Sequence, residues 1–156
     1  MPRAGLHVKA AFGALKPVSF AKTSGSRGLH VLVPIRRAPD ADEVLASAES
    51  FVARVAAAYP VGLTVEHSIA ARGDPVYLDP FRNGLSQTVV APYSVRRRDQ
   101  APISTPLEWS KVNPAVVPSD FNMGNFQQRL QGPDPWEDFF RCLKSLKDAT
   151  SALRRL

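Results

Sequence analysis

A chain of 156 residues, 44% hydrophobic and 22% charged, is one domain or a large piece of one, with enough apolar residues for a packed core, which excludes wholesale disorder. A net charge of +6 and a pI of about 9.9 favour anionic partners such as nucleotides or nucleic acid. One cysteine, Cys142, excludes an internal disulfide, no run reaches the ~20 apolar residues of a membrane span, and the N-terminal Met1–Leu6 lacks a signal-peptide core, so the expected location is cytoplasmic with no membrane partner.

Leu6, Ala10, Ala11, Ala14 and Leu15 recur at helical spacing and predict a short helix over 4–15, interrupted by Gly13. Residues 18–22 alternate as a strand, and the apolar run 29–35 reads as a second, mostly buried strand. The turn between them holds two glycines and two serines, which predicts a hairpin. Asp40 to Tyr59 is the clearest helix: Asp40 is an N-cap with Glu43 as its capping-box partner, and Val44, Ala48, Phe51, Val52, Val55 and Tyr59 share one face. Residues 63–65, 76–79 and 87–93 read as strands, the last two joined around Asn83-Gly84. Seven of the 14 prolines fall between Pro92 and Pro135, which predicts an extended, loop-rich surface there. Within it, residues 106–109 begin a loop or a single turn, residues 120–123 read as extended, and a short helix passes through Phe126 and Leu130. The last helix is expected to start at Asp134, with Pro135 in its first turn. Its buried stripe would comprise Trp136, Phe139, Phe140, Leu143, Leu146, Thr150 and Leu153.

Two segments carry chemistry. The first is Thr23-Ser24-Gly25-Ser26-Arg27-Gly28-Leu29-His30. Glycines let backbone approach a phosphate, consecutive N–H groups can form an anion nest, Ser24 and Ser26 add hydroxyls, Arg27 can pair with phosphate oxygens, and His30 can donate to one. The same spacing suits an ordinary polar hairpin with a structural histidine. The second is Val76-Tyr77-Leu78-Asp79-Pro80-Phe81-Arg82-Asn83, where Asp79 at a strand end suits Mg²⁺ or Mn²⁺ and Arg82 either orients it or meets a phosphate. A strand-to-turn transition with a surface salt bridge accounts for these residues too. In Tyr93-Ser94-Val95-Arg96-Arg97-Arg98, Arg96 sits nearest the strand and is the inward-facing candidate, while Arg97 and Arg98 read as a solvated turn. Asp40-Ala41-Asp42 is a D-x-D in letters only, since its carboxylates belong to a helix-capping turn. His7, His67 and Cys142 lack zinc-site spacing.

Taken in order, residues 22–31, 78–84 and 90–96, then Thr105-Pro106-Leu107-Glu108-Trp109 and Asp134-Pro135-Trp136, resemble the C-terminal half of the polymerase domain of bacterial ATP-dependent DNA ligase D. That domain belongs to the archaeo-eukaryotic primase superfamily, and the resemblance runs from about residue 6 to 143. It implies an α+β fold, part of a primase-polymerase core with an RRM-like antiparallel sheet and flanking helices. It also implies template-directed nucleotidyl transfer to a DNA 3′-hydroxyl in non-homologous end joining. In such enzymes three carboxylates hold two divalent cations, two of them from an upstream D-x-D and the third where Asp79 stands. Ser24, Arg27, His30 and Arg96 inherit contacts to the nucleotide triphosphate, with Ser26 and Arg82 in support. Arg27 stands where the family usually has lysine.

The resemblance lacks the family's N-terminal half and with it the D-x-D, so the Mn²⁺ or Mg²⁺ site is expected to be incomplete and the chain alone weakly active or inactive. The expected organisation is a single truncated domain over 1–156, with a triphosphate- and metal-binding sheet portion in 1–100 and a loop-rich, helical portion in 101–156. Expected partners are DNA ends or gaps, nucleoside triphosphates, and a ligase partner or the missing half on another polypeptide. The setting is the bacterial cytoplasm, at the nucleoid when acting. A non-catalytic nucleotide- or DNA-binding remnant, a subunit of a split polymerase and a decayed gene product remain alternatives.

Overall fold

In a computed structural model the described residues are 19–153 apart from Pro114. The helix expected over 4–15, and His7 within it, lie outside them. The elements run β1 (Phe20–Thr23), β2 (Leu29–Leu32), α1 (Ala41–Ala58), β3 (Leu63–Thr64), α2 (Ile69–Arg72), β4 (Val76–Tyr77), β5 (Pro106–Leu107), α3 (Phe126–Leu130) and α4 (Leu146–Leu153). Single 3₁₀ turns occupy Phe81–Asn83, Trp109–Lys111, Pro118–Asp120 and Phe139–Arg141. Helices combined with an antiparallel sheet make the fold α+β, as expected. The described residues divide into two compact units, one of 35–89 and 144–153, the other of 19–34 and 90–143.

In the first unit α1 begins as its sequence dictates. Asp40 Oδ1 accepts from the Glu43 amide at 2.8 Å, and Glu43 Oε2 accepts from the Asp40 amide at 3.1 Å, which satisfies two otherwise orphaned donors. Val52 and Val55 are buried, and Val44, Ala48, Phe51 and Tyr59 are half-buried on the same face. Burying each large aliphatic side chain contributes about 1.5–3 kcal/mol. β3 pairs with β4 in parallel, Leu63 opposite Val76, and Leu63 and Leu78 are buried. Both strands are shorter than the apolar runs suggest: Val65 is exposed, and Asp79 lies two residues beyond β4.

The second unit centres on β1, flanked antiparallel by β2 and β5 in the order β2-β1-β5. The hairpin register is Phe20 opposite Leu32 through Thr23 opposite Leu29, which bears out the expected turn. All four β2 residues are half-buried rather than mostly buried. Ala21, Leu107 and Val112 form the core, with Leu29, Trp109, Val116 and Phe121 packed against it. Trp136 stacks on Phe139, both meet Phe20 edge-on, and the Trp136 indole N–H donates to the Ala21 carbonyl at 3.0 Å.

Three expectations fail for identifiable reasons. Residues 87–93 are not a strand paired back to β4. Phe81–Asn83 coils into a 3₁₀ turn, and the chain near Tyr93 instead meets 102–104: the Tyr93 amide donates to the Ser104 carbonyl and the Ser104 amide to the Ser94 carbonyl. The proline-rich stretch is not all surface. Residues 102–107 are buried without a break, and Pro106, which has no N–H to offer, fits because β5 is an edge strand. The last helix is broken. Asp134 Oδ1 does cap the Trp136 amide at 2.9 Å, but only a 3₁₀ turn follows, and α4 starts afresh at Leu146. Trp136 packs in the second unit and α4 belongs to the first, so one apolar stripe serves two cores; Phe140 is exposed. The helix through Phe126 and Leu130 is present.

Candidate triphosphate site

The site residues fall in different units. Ser24, Ser26, Arg27, His30 and Arg96 belong to the second unit, Asp79 and Arg82 to the first.

In the second unit the hairpin turn closes on Ser24. Its amide donates to the Gly28 carbonyl at 2.9 Å, and its Oγ accepts from the Ser26 amide at 3.2 Å and the Gly28 amide at 3.1 Å. Those two N–H groups therefore serve the turn itself, which corrects the expected anion nest: backbone donors at 26 and 28 already have an oxygen. The Ser24 hydroxyl hydrogen is left to donate elsewhere. Ser26 is half-buried and Arg27 exposed.

Gly25 is the hinge of this turn, buried and at φ +65°, where a side chain is disfavoured. A Cβ there would fall 2.5 Å from Arg96 Cγ and 3.1 Å from the Ser104 amide nitrogen, so the absent side chain is the space in which Arg96 lies. Arg96 is fixed from behind, its amide donating to the Pro102 carbonyl at 2.7 Å next to the antiparallel bridge of Val95 with Ile103. It is half-buried, whereas Arg97 and Arg98 are exposed.

Lys22 is a site residue that the sequence reading passed over as a strand position. Period-two alternation puts it on the sheet face opposite Ala21, and it is fully buried. Its Nζ donates to Ser104 Oγ at 2.6 Å and to the Val90 carbonyl at 2.8 Å, and lies 3.0 Å from His30 Nδ1. Burial, reinforced by the charge of Arg96, lowers its pKa to about 8. Ser104 in turn donates to the Thr23 carbonyl at 2.7 Å. The available signal was a lysine in an apolar strand directly before the Gly-Ser turn; Ser104, in a proline-rich run, gave none.

In the first unit Asp79 acts as a local cap. Its Oδ1 accepts from the Phe81 amide at 3.0 Å, and its Oδ2 accepts from Arg82 Nε at 3.2 Å. The Arg82 guanidinium also reaches Gln87 Oε1 at 3.4 Å. A two-cation phosphoryl-transfer centre needs several carboxylates. Asp79 supplies one, and among the described residues no group of three His, Cys, Asp or Glu could hold a metal ion. The described residues do not fit a two-cation site. His67 meets Tyr77 and Phe81 edge-on, as a packing residue does.

The comparisons with known proteins agree with one another. The LigD primase-polymerase domain family matches residues 1–136. The multifunctional non-homologous end joining protein LigD of Pseudomonas aeruginosa is 32% identical over 124 residues, covering 78% of this chain and 15% of that protein. The LigD of Mycobacterium tuberculosis H37Rv is 27% identical over 142 residues, covering 85% of this chain and 19% of that protein. Among solved structures, the polymerase domain of Mycobacterium tuberculosis ligase D in complex with DNA superposes with a TM-score of 0.75 at 25% identity. The match covers 85% of this chain and 49% of that one. The chain thus spans about half of that polymerase domain, and no more than a fifth of the curated relatives it matches.

Proposed function

Because the chain belongs to the LigD primase-polymerase domain family, we propose that it is the triphosphate-holding part of an end-joining polymerase, and that by itself it binds a nucleoside triphosphate without transferring the nucleotide. The observation that carries this reading is the cluster around the β1–β2 turn: Gly25 opens the space for Arg96, and His30 stands against the ammonium of Lys22. Cationic side chains gathered at one turn beside a hydroxyl donor suit a polyanion. In this reading Arg96 supplies a planar, permanently charged fork for phosphate oxygens. His30 and the Ser24 hydroxyl donate to further oxygens, and Arg27, exposed on the turn, adds a mobile charge. Ser26 stands in support there, and Arg82 supports Asp79 within the first unit.

Holding a triphosphate in line and neutralising it is most of what a protein contributes to phosphoryl and nucleotidyl transfer. Divalent cations supply the remaining charge stabilisation when bound. Asp79 is our candidate for one of their ligands, and the other carboxylates would have to come from beyond the described residues. DNA ends or gaps are the proposed second substrate, supported by the net charge of +6 and by the DNA held in the Mycobacterium tuberculosis polymerase-domain structure. The engagement of both Asp79 oxygens within its own turn favours binding without catalysis for this chain alone.

Equilibrium titration with ATP and with AMP, each without divalent cation, tests the reading. ATP should bind more tightly than AMP, and Arg96→Ala should weaken ATP about tenfold or more, the loss of a charged hydrogen-bond pair. Equal affinity for the two nucleotides, or an unaffected variant, would remove the triphosphate site.

A further inference from the structure

A lysine ammonium has three hydrogens and no lone pair. Three groups surround the buried Lys22 Nζ at hydrogen-bonding distance: the Val90 carbonyl, Ser104 Oγ and His30 Nδ1. A carbonyl can only accept. Ser104 commits its own hydrogen to the Thr23 carbonyl and so offers Lys22 a lone pair. One ammonium hydrogen remains for the third neighbour, and receiving it requires a lone pair on Nδ1. A neutral imidazole carries one N–H and one lone pair, so a ring that accepts at Nδ1 has its hydrogen on Nε2.

We propose that Lys22 is a positioning residue for His30: its ammonium, held by Ser104 and the Val90 carbonyl, fixes the imidazole as the Nε2–H tautomer, the form that donates from Nε2 to an anionic phosphate oxygen. The phosphate half of this statement rests on the triphosphate reading above; the tautomer does not. Lys22 itself touches no substrate. It acts by deciding which ring nitrogen is a donor, as a carboxylate or carbonyl partner does for histidines elsewhere.

The arrangement also sets a pH limit. Burial and the neighbouring Arg96, the charged group facing Lys22, bring loss of the ammonium proton down to about pH 8. The neutral amine keeps two hydrogens for Val90 and Ser104 and turns a lone pair toward Nδ1. That lone pair favours the Nδ1–H tautomer, and Nε2 becomes an acceptor, which repels a phosphate oxygen. Donation from His30 is therefore confined to pH values below the Lys22 transition.

The test is long-range ¹H–¹⁵N NMR of the full chain labelled at histidine, with the His30 signals assigned by loss in His30→Gln. Just below pH 8 the ¹⁵N shifts should report Nε2–H, and above it they should move toward Nδ1–H. A free neutral imidazole also favours Nε2–H, so Lys22→Met should shrink the Nε2–H excess rather than reverse it, and should abolish its change across pH 8. ATP affinity should fall about tenfold or more on raising the pH through the transition, and Lys22→Arg, charged throughout, should lack that fall. An Nδ1–H or doubly protonated ring in the wild type just below pH 8 overturns the proposal, as does an unchanged tautomer ratio in a folded Lys22→Met. If Lys22→Met does not fold, the wild-type spectra still decide. An Nε2–H ring with no ATP binding at any pH would sink the triphosphate reading alone, whereas ATP bound beside an Nδ1–H ring would sink the Lys22 proposal alone.

Discussion

Replacing Gly25 by alanine puts the turn geometry under direct strain. At φ +65° an L-residue costs about 1–2 kcal/mol relative to glycine. The new Cβ would sit 2.5 Å from Arg96 Cγ, which can swing away, and 3.1–3.2 Å from the Ser104 nitrogen and the Ile103 carbonyl carbon, which are backbone in a buried stretch. Overpacking of this kind costs a further 1–3 kcal/mol, roughly. The total of about 2–5 kcal/mol corresponds to a fall in Tm of roughly 4–20 °C for a chain of this length. Urea and thermal unfolding measure the loss. Gly28→Ala is the internal control, because a Cβ there would meet only Ser24 Oγ at 4.0 Å and should cost about 1 kcal/mol or less. Folded Gly25→Ala should also bind ATP less tightly, since Arg96 must leave its place. A variant as stable as the wild type, with unchanged ATP affinity, would refute the claim that Gly25 makes room for Arg96.

Three further outcomes follow from the packing. Trp136→Phe removes the donor to the Ala21 carbonyl while keeping an aromatic ring, and should cost about 1–2 kcal/mol by urea titration. Asp40→Ala removes the α1 cap and should cost about 1 kcal/mol by the same measurement. The folded-state pKa of Lys22 is lowered, so between about pH 8 and its ordinary 10.5 the unfolded chain binds more protons there than the folded one. Stability of the wild type relative to Lys22→Met should therefore rise with pH across that window, and a flat or falling difference would contradict the burial of an ammonium.

Local rules made much of this fold legible. The Asp40 capping box and the 3.6-residue stripe behind it specify α1 without tertiary help, and the Gly-Ser turn between two apolar runs specifies the β1–β2 hairpin. Partners distant in sequence were not legible. Nothing local to 87–93 says that its neighbour is 102–104, or that Pro106 lies on a sheet edge beside β1. The stripe from Trp136 to Leu153 satisfies helical spacing, yet Trp136 is held to Ala21 and α4 belongs to the other unit, so tertiary contacts override the periodicity. In the site, Ser24, His30 and Arg96 were visible because turn chemistry and the ordered family motifs mark them. Lys22 was not, since its role depends on acceptors 8, 68 and 82 residues away.

The most direct test of a triphosphate-holding chain without its own two-cation centre is Mn²⁺-dependent addition of a single nucleotide to a gapped duplex, using the purified chain beside its Asp79→Ala variant. The account predicts no incorporation by either, although ATP binds to both. Incorporation by the wild type that disappears in Asp79→Ala would show a working metal site in this chain and contradict the account.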